Sequence, residues 1–222
     1  MFSRVLIANR GEIALRIIRA CKELGIETVA VCSKADEGAE YLKLADNTVC
    51  IGPSSPEQSY LNVPSIISAA EITDVEAIHP GYGFLSEASH FAEICESSNI
   101  TFIGPSAKTL KMMGDKAEAR RVAVANKVPV LPGSESTVTG QQEALGIAHK
   151  IGYPVLIKAA AGGGGRGIRI AHNDASLVSS MAVAQRESET AFKDSALYIE
   201  KFIEHACHEE LQLLADQHGN II

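Results

Sequence analysis

Along the first half of the chain, short continuous apolar runs alternate with stretches whose apolar positions recur every three or four residues. This is the pattern of strands and crossover helices in a parallel sheet. Arg4 to Ala8 is the first apolar run, and Ile13, Ile17, Ile18, Cys21 and Leu24 then follow at helical spacing until Gly25 stops the helix. The opposite helix face carries Glu12, Arg16, Arg19 and Glu23, whose four-residue offsets pair opposite charges and suit solvent or a partner subunit. Glu27 to Cys32, Thr48 to Ile51 and Glu76 to His79 read as further strands, with a helix over Val63 to Ala70. Phe91 to Cys95 and Thr101 to Ile103 continue the alternation.

Gly114-Asp115 breaks this pattern, and Asp115 followed by Glu118 predicts a helix start for a connector reaching about Asn126. After the turn-rich Leu131-Pro132-Gly133-Ser134, a helix over Gln142 to Ile151 ends at Gly152 and Pro154. A smaller α/β unit follows, with strands at Pro154–Ala159, Gly167–Ala171 and Ala196–Lys201 and a helix capped near Asp174. His208 to Ala215 reads as a strand and Gln217 to Ile222 as a turn into a returning strand. Half a hairpin has no sheet to join, so a further, truncated domain is expected beyond it.

The composition, 46% hydrophobic and 21% charged, is that of a globular protein, and a net charge of -7 with no basic stripe disfavours nucleic-acid binding. Cys21, Cys32, Cys50, Cys95 and Cys207 are odd in number and include no C-x-x-C pair, so they read as reduced cytosolic thiols. Met1 runs straight into the first strand and no apolar run reaches membrane-spanning length, which disfavours secretion and membrane insertion.

The strongest chemical signal is Lys158-Ala159-Ala160-Ala161-Gly162-Gly163-Gly164-Gly165-Arg166-Gly167. Four glycines leave backbone N–H groups free to cradle phosphate oxygens, and Lys158 at a strand end adds a point charge beside them. The competing reading is a hairpin loop with a snorkelling lysine. The segment matches neither G-x-x-x-x-G-K-[ST] nor a G-x-G-x-x-G that opens a helix, because a strand follows it. Lys116, in the first turn of its helix, is mildly unfavourable there unless a phosphate is bound. Asn9-Arg10-Gly11-Glu12 and His79 through Glu87 follow strands at the edge where α/β sheets place ligands, although each alone reads as a turn.

Taken together these blocks resemble biotin carboxylases of the ATP-grasp superfamily. The resemblance rests on Ile7 to Ala14, His79 to Glu87, Met113 to Lys116, the glycine loop after Lys158, and Tyr198 to Lys201, and it runs from Met1 to Ile222. It implies a Rossmann-like amino-terminal domain over 1–113, a connector over 114–133, a small ATP-grasp lid over 134–204, and the start of a truncated ATP-grasp domain over 205–222. It also implies that Lys116 and Lys158 hold ATP phosphates, that Gly164 and Gly165 cover them, and that Ile168 packs on the adenine. Glu200, Lys201, Phe202 and Ile203 would offer backbone groups to the base, and His208 would touch the nucleotide.

The implied reaction is carboxylation of biotin on a biotin carboxyl carrier protein, using MgATP and bicarbonate through carboxyphosphate, with a carboxyltransferase as further partner. Lid closure would protect the labile intermediate from water. An acetyl-CoA carboxylase subunit of fatty-acid synthesis, cytoplasmic and homodimeric when full length, is the expectation, with pyruvate, propionyl-CoA, methylcrotonyl-CoA and urea carboxylases sharing the motifs. A non-catalytic nucleotide-binding module is the alternative from another class. Magnesium ligands and catalytic residues are expected beyond residue 222, and none is assigned within the chain. Two departures from the family pattern stand out. Ala161 stands where the family usually extends its glycine run to five, and Cys207 and Glu209 flank His208 in place of an arginine and an apolar residue.

Overall fold

The first two apolar runs form central strands of a sheet that are buried on both faces, which is why they read as runs rather than as alternations. In the computed structural model, which describes residues 1–160, 168–192, 195–207 and 209–222, β1 (Arg4–Ile7), β2 (Glu27–Ser33), β3 (Asn47–Gly52), β4 (Ala77–His79) and β5 (Thr101–Phe102) are all parallel. The side chains of Lys116, Ala117, Ala191 and Phe192 stand outside that description. Strand order is β3-β2-β1-β4-β5, so the chain reverses its winding direction between β1 and β4. Alternate residues of β2 serve two cores: Val29 and Val31 pack with α2 (Val63–Ile72) and α3 (Ser89–Ser97), while Ala30 and Cys32 pack with α1 (Gly11–Glu23). The charged side of α1, with Arg16, Arg19 and Glu23, is exposed.

Two helices flank the predicted break. The first, α4 (Ala107–Gly114), is started by Ser106, whose Oγ accepts the Thr109 amide at 3.2 Å. The second, α5 (Lys116–Ala125), is started by Asp115, whose Oδ1 accepts the Glu118 amide at 2.9 Å, as the sequence signal implied.

The chain divides into two compact units, Met1–Ala119 and Arg120–Ile222. In the second, β6 (Val155–Ala159), β7 (Arg169–Ala171) and β8 (Leu197–Lys201) form an antiparallel sheet in the order β7-β6-β8. One face alternates inward as Val155, Ile157, Ala159, Leu197 and Ile199, all at most 3% exposed, and packs on α6 (Gln141–Ile151) and α7 (Asp174–Phe192).

The strand expected over 208–215 does not form among the described residues. A single bridge joins Ala215 to Ile221, with Leu214 and Ile222 exchanging 2.9 Å backbone bonds around a turn in which Asp216 accepts the His218 and Asn220 amides. Leu211 is 91% and Leu213 67% exposed, so among the described residues no third strand or helix buries the apolar side chains of this ribbon. Among the described residues no helix is long and apolar enough to cross a membrane.

Candidate functional site

In the first unit the loops after β1 and β4 meet where the winding reverses, the place at which open α/β sheets usually take their ligands. Here hydrogen bonds of the chain itself tie the two loops together. Asn9, 3% exposed, donates from Nδ2 to the carbonyls of Pro80 and Tyr82 at 2.7 Å each, while its Oδ1 accepts the Arg10 amide at 2.8 Å. Gly81 (φ +64°) is needed beneath it, because a Cβ there would lie 2.9 Å from Asn9 Nδ2. Across the mouth, the Tyr82 hydroxyl donates to the Glu12 carboxylate, and Arg10 pairs with Asp36 at 2.9 Å. The two blocks that the sequence placed at this edge are therefore brought together, as a hydrogen-bonded turn network. Asn9→Ala leaves a buried Pro80 carbonyl and a part-buried Tyr82 carbonyl without their donor, and thermal or urea unfolding of the chain is expected to show a loss of about 1–3 kcal/mol.

His79 sits in the same network. Burial holds its imidazole below the ordinary 6.5, and Nδ1 accepts the Gly81 amide at 3.1 Å, which requires that nitrogen to be unprotonated. The unfolded chain therefore binds this proton at a higher pH than the folded one. Stability attributable to His79 is full above about pH 6.5 and declines as pH falls through that value toward the folded pKa. Urea midpoints measured from about pH 7 down to about pH 5 should show a decline that His79→Gln flattens. Asp46, held below 3.8 by bonds from Thr28, titrates in a lower window.

In the second unit the outward face of the small sheet gathers several of the residues singled out from the sequence. Leu156 lies opposite both Glu200 and Ile170, and Lys158 opposite Tyr198, so Lys158 and Glu200 are diagonal neighbours on one face. Their ammonium and carboxylate form an ion pair, with the side chains 30% and 15% exposed. Ile168, 45% exposed, immediately precedes β7. Lys201 alternates to the other face, where Nζ donates to the carbonyls of Gly152 and Tyr153 at 3.0 and 2.8 Å and so ties down the turn that follows α6. Phe202 donates its amide to Pro154 O at 3.1 Å, and Ile203 is 46% exposed. The side chain of Lys116, and Gly164, Gly165 and His208 altogether, lie outside the described residues.

Pro132 is the residue whose part in this site the sequence reading missed. The segment around Gly133 runs antiparallel along the free edge of β8, with the Lys201 amide donating to Pro132 O at 2.8 Å and the Ser134 amide to Ile199 O at 2.7 Å. In a regular ladder the residue opposite Lys201 would return a bond to the Lys201 carbonyl, but proline has no N–H to give. Pro132 therefore returns no bond to the Lys201 carbonyl at the end of β8, the strand that also carries Glu200. Gly133 is equally constrained, since a Cβ would come within 2.7 Å of Ile199 O. Among the described residues no group of three or more His, Cys, Asp or Glu side chains could hold a metal ion, and no magnesium ligand is assigned to them.

Comparison with known proteins agrees with this division. The family model "Biotin carboxylase, N-terminal domain" matches residues 1–110, and "Carbamoyl-phosphate synthase L chain, ATP binding domain" matches residues 115–222. The chain is 53% identical over 222 residues to Biotin carboxylase 1 of Bacillus subtilis (strain 168), covering 100% of this chain and 49% of that protein. A crystal structure of the biotin carboxylase-beta-gamma-ATP complex from Campylobacter jejuni superposes with a TM-score of 0.93 at 49% identity, over 100% of this chain and 50% of that one. The biotin carboxylase domain dimer of Hydrogenobacter thermophilus 2-oxoglutarate carboxylase, in complex with MgADP, ADP and bicarbonate, gives 0.83 at 51% identity, over 92% of this chain and 45% of that one. The chain spans about half the length of the curated relatives it matches.

The fold is thus an α/β architecture of the ATP-grasp class, a parallel-sheet unit followed by an ATP-binding region with a small antiparallel sheet. The chain belongs to the biotin carboxylase family.

Proposed function

We propose that this chain is the nucleotide-binding part of an ATP-dependent biotin carboxylase. The observation that carries the reading is the Lys158–Glu200 pair on the outward face of β6 and β8, set beside a Lys201 carbonyl that Pro132 cannot satisfy. Lys158 would bind ATP phosphates together with Lys116, Gly164 and Gly165 would cover them, and Ile168 would pack on the base. The Lys201 carbonyl and the Ile203 amide would meet the adenine edge, within a segment running from Glu200 through Phe202, and His208 would touch the nucleotide. Phosphate charge developing during transfer would be stabilised by these cations. Magnesium would arrive with the ATP phosphates.

The whole reaction in this proposal joins bicarbonate to biotin on a biotin carboxyl carrier protein, driven by ATP. Residues 134–204 act as the lid, and 205–222 open the following domain. The likeness to Biotin carboxylase 1 of Bacillus subtilis supports the finer reading of a cytoplasmic acetyl-CoA carboxylase subunit feeding fatty-acid synthesis, with a carboxyltransferase as partner. The likeness to a biotin carboxylase domain dimer supports homodimerisation.

Calorimetric titration with MgATP, alongside bicarbonate-dependent phosphate release with and without free biotin, tests the proposal. Binding without turnover is the expected result. Biotin-stimulated turnover would place catalytic groups inside these residues, and an absence of binding would overturn the nucleotide site on this face.

A further inference from the structure

Two cysteines that the nucleotide chemistry does not use stand side by side in the first unit. Cys32 of β2 and Cys50 of β3 are register partners in neighbouring parallel strands. Val49 and Ile51 turn to the core packed by α2, so Cys50 turns to the opposite face, which is the face that holds Cys32. Adjacent strands lie about 4.8 Å apart, inside the range of about 4.4–6.8 Å that a disulfide spans between Cα atoms. The register also shifts between Cys32 and Ser33, which leaves the backbone at this point less tightly paired than a regular ladder.

The two thiols differ sharply in setting. Cys50 is exposed on an edge strand, with Sγ donating to Gly52 O at 3.7 Å, whereas Cys32 is 3% exposed. Burial, then the nearby Cys50 and Glu37, push the Cys32 thiol up to about 11, so it stays protonated while Cys50 meets solvent. The arrangement is that of an accessible thiol backed by a buried resolving one.

We propose that Cys32 and Cys50 form an oxidisable pair that closes to an intramolecular disulfide under a peroxide. Cys50 gives up a proton and attacks one peroxide oxygen, forming a sulfenic acid and releasing water. The Cys32 sulfur then attacks Cys50 Sγ, the S–O bond breaks, and the Cys32 proton leaves with the hydroxyl as a second water. Two thiols are oxidised by two electrons and one peroxide is reduced to two waters. The bond ties edge strand β3 to β2 and closes the intervening loop, whose Asp36 accepts from Ser33 Oγ at 3.0 Å and from the Tyr60 hydroxyl at 2.7 Å. A disulfide between directly paired strands is readily reduced, which suits a reversible modification.

The test uses the reduced native chain carrying Cys207→Ser, which removes the other exposed thiol. It is treated with hydrogen peroxide, quenched in acid, alkylated and read by peptide mass spectrometry. The expected product is a cross-linked peptide joining residues 32 and 50, lighter by about 2 Da than the sum of its reduced halves, with both thiols returning on reduction. Cys50 carrying added oxygen while Cys32 remains fully alkylatable would overturn the proposal, as would a cross-link between two chains. A second variant, Cys32→Ser, should leave a lasting Cys50 sulfenic acid that dimedone traps. Failure of dimedone to label Cys50 there would also overturn it.

Discussion

Replacing Lys158 with glutamine should weaken MgATP binding to this chain about 10- to 100-fold, read as the dissociation constant from calorimetric titration. The substitution keeps most of the side-chain length and removes the charge. An ion-assisted hydrogen bond is worth about 1.5–3 kcal/mol, and each 1.4 kcal/mol is about tenfold in affinity. A second effect acts in the same direction. Glu200, with its side chain 15% exposed, loses its cation and leaves an uncompensated carboxylate beside the place proposed for the phosphates. Thermal unfolding measured on the same variant separates loss of binding from loss of fold. Unchanged affinity in a folded variant would remove Lys158 from the phosphate site and leave the ion pair as a cross-strand contact.

Gly52→Ala should destabilise the first unit by about 3 kcal/mol, a fall of about 10 °C in its thermal midpoint. Gly52 closes β3 at φ +151°, and a Cβ built there would lie 2.1 Å from the carbonyl oxygen of Gln58. That oxygen belongs to the short 3-10 turn Pro56–Gln58, which has no flexible end to swing aside, so the backbone itself would have to move. Movement there would also disturb Tyr60, fully buried and stacked on Phe84 at 5.1 Å. A midpoint within about 2 °C of the parent would show that the turn yields far more easily than close packing allows.

The parallel sheet was legible because β1 and β2 are buried on both faces, and double burial writes itself as an unbroken apolar run. The helix α4 was not, since Ala107 and Leu110 are its buried residues and its lysines conceal the period. At the site, Lys158 and Glu200 could each be picked out by local context, but their pairing depends on the register of β6 against β8, which no local pattern encodes. Lys201 is assigned to the nucleotide segment through its backbone groups, and its side chain serves elsewhere. Strict alternation in a strand already sends it to the face opposite Glu200, where it ties down the turn that follows α6. Pro132 read as a turn former, whereas its effect on the site comes from the proton its nitrogen lacks. The loops after β1 and β4 each read as a turn, and no local pattern reveals that one asparagine bonds across them.

The strand end to which Pro132 returns no bond also bears on which purine is chosen. On the proposed reading, the Lys201 carbonyl is an acceptor facing the six-position of the base. It attracts the amino group of adenine and repels the oxo group of guanine, so the preference for ATP over GTP resides in main-chain atoms. Side chains at 201–203 are then free to serve packing, as Lys201 does, without loosening the selection of the base.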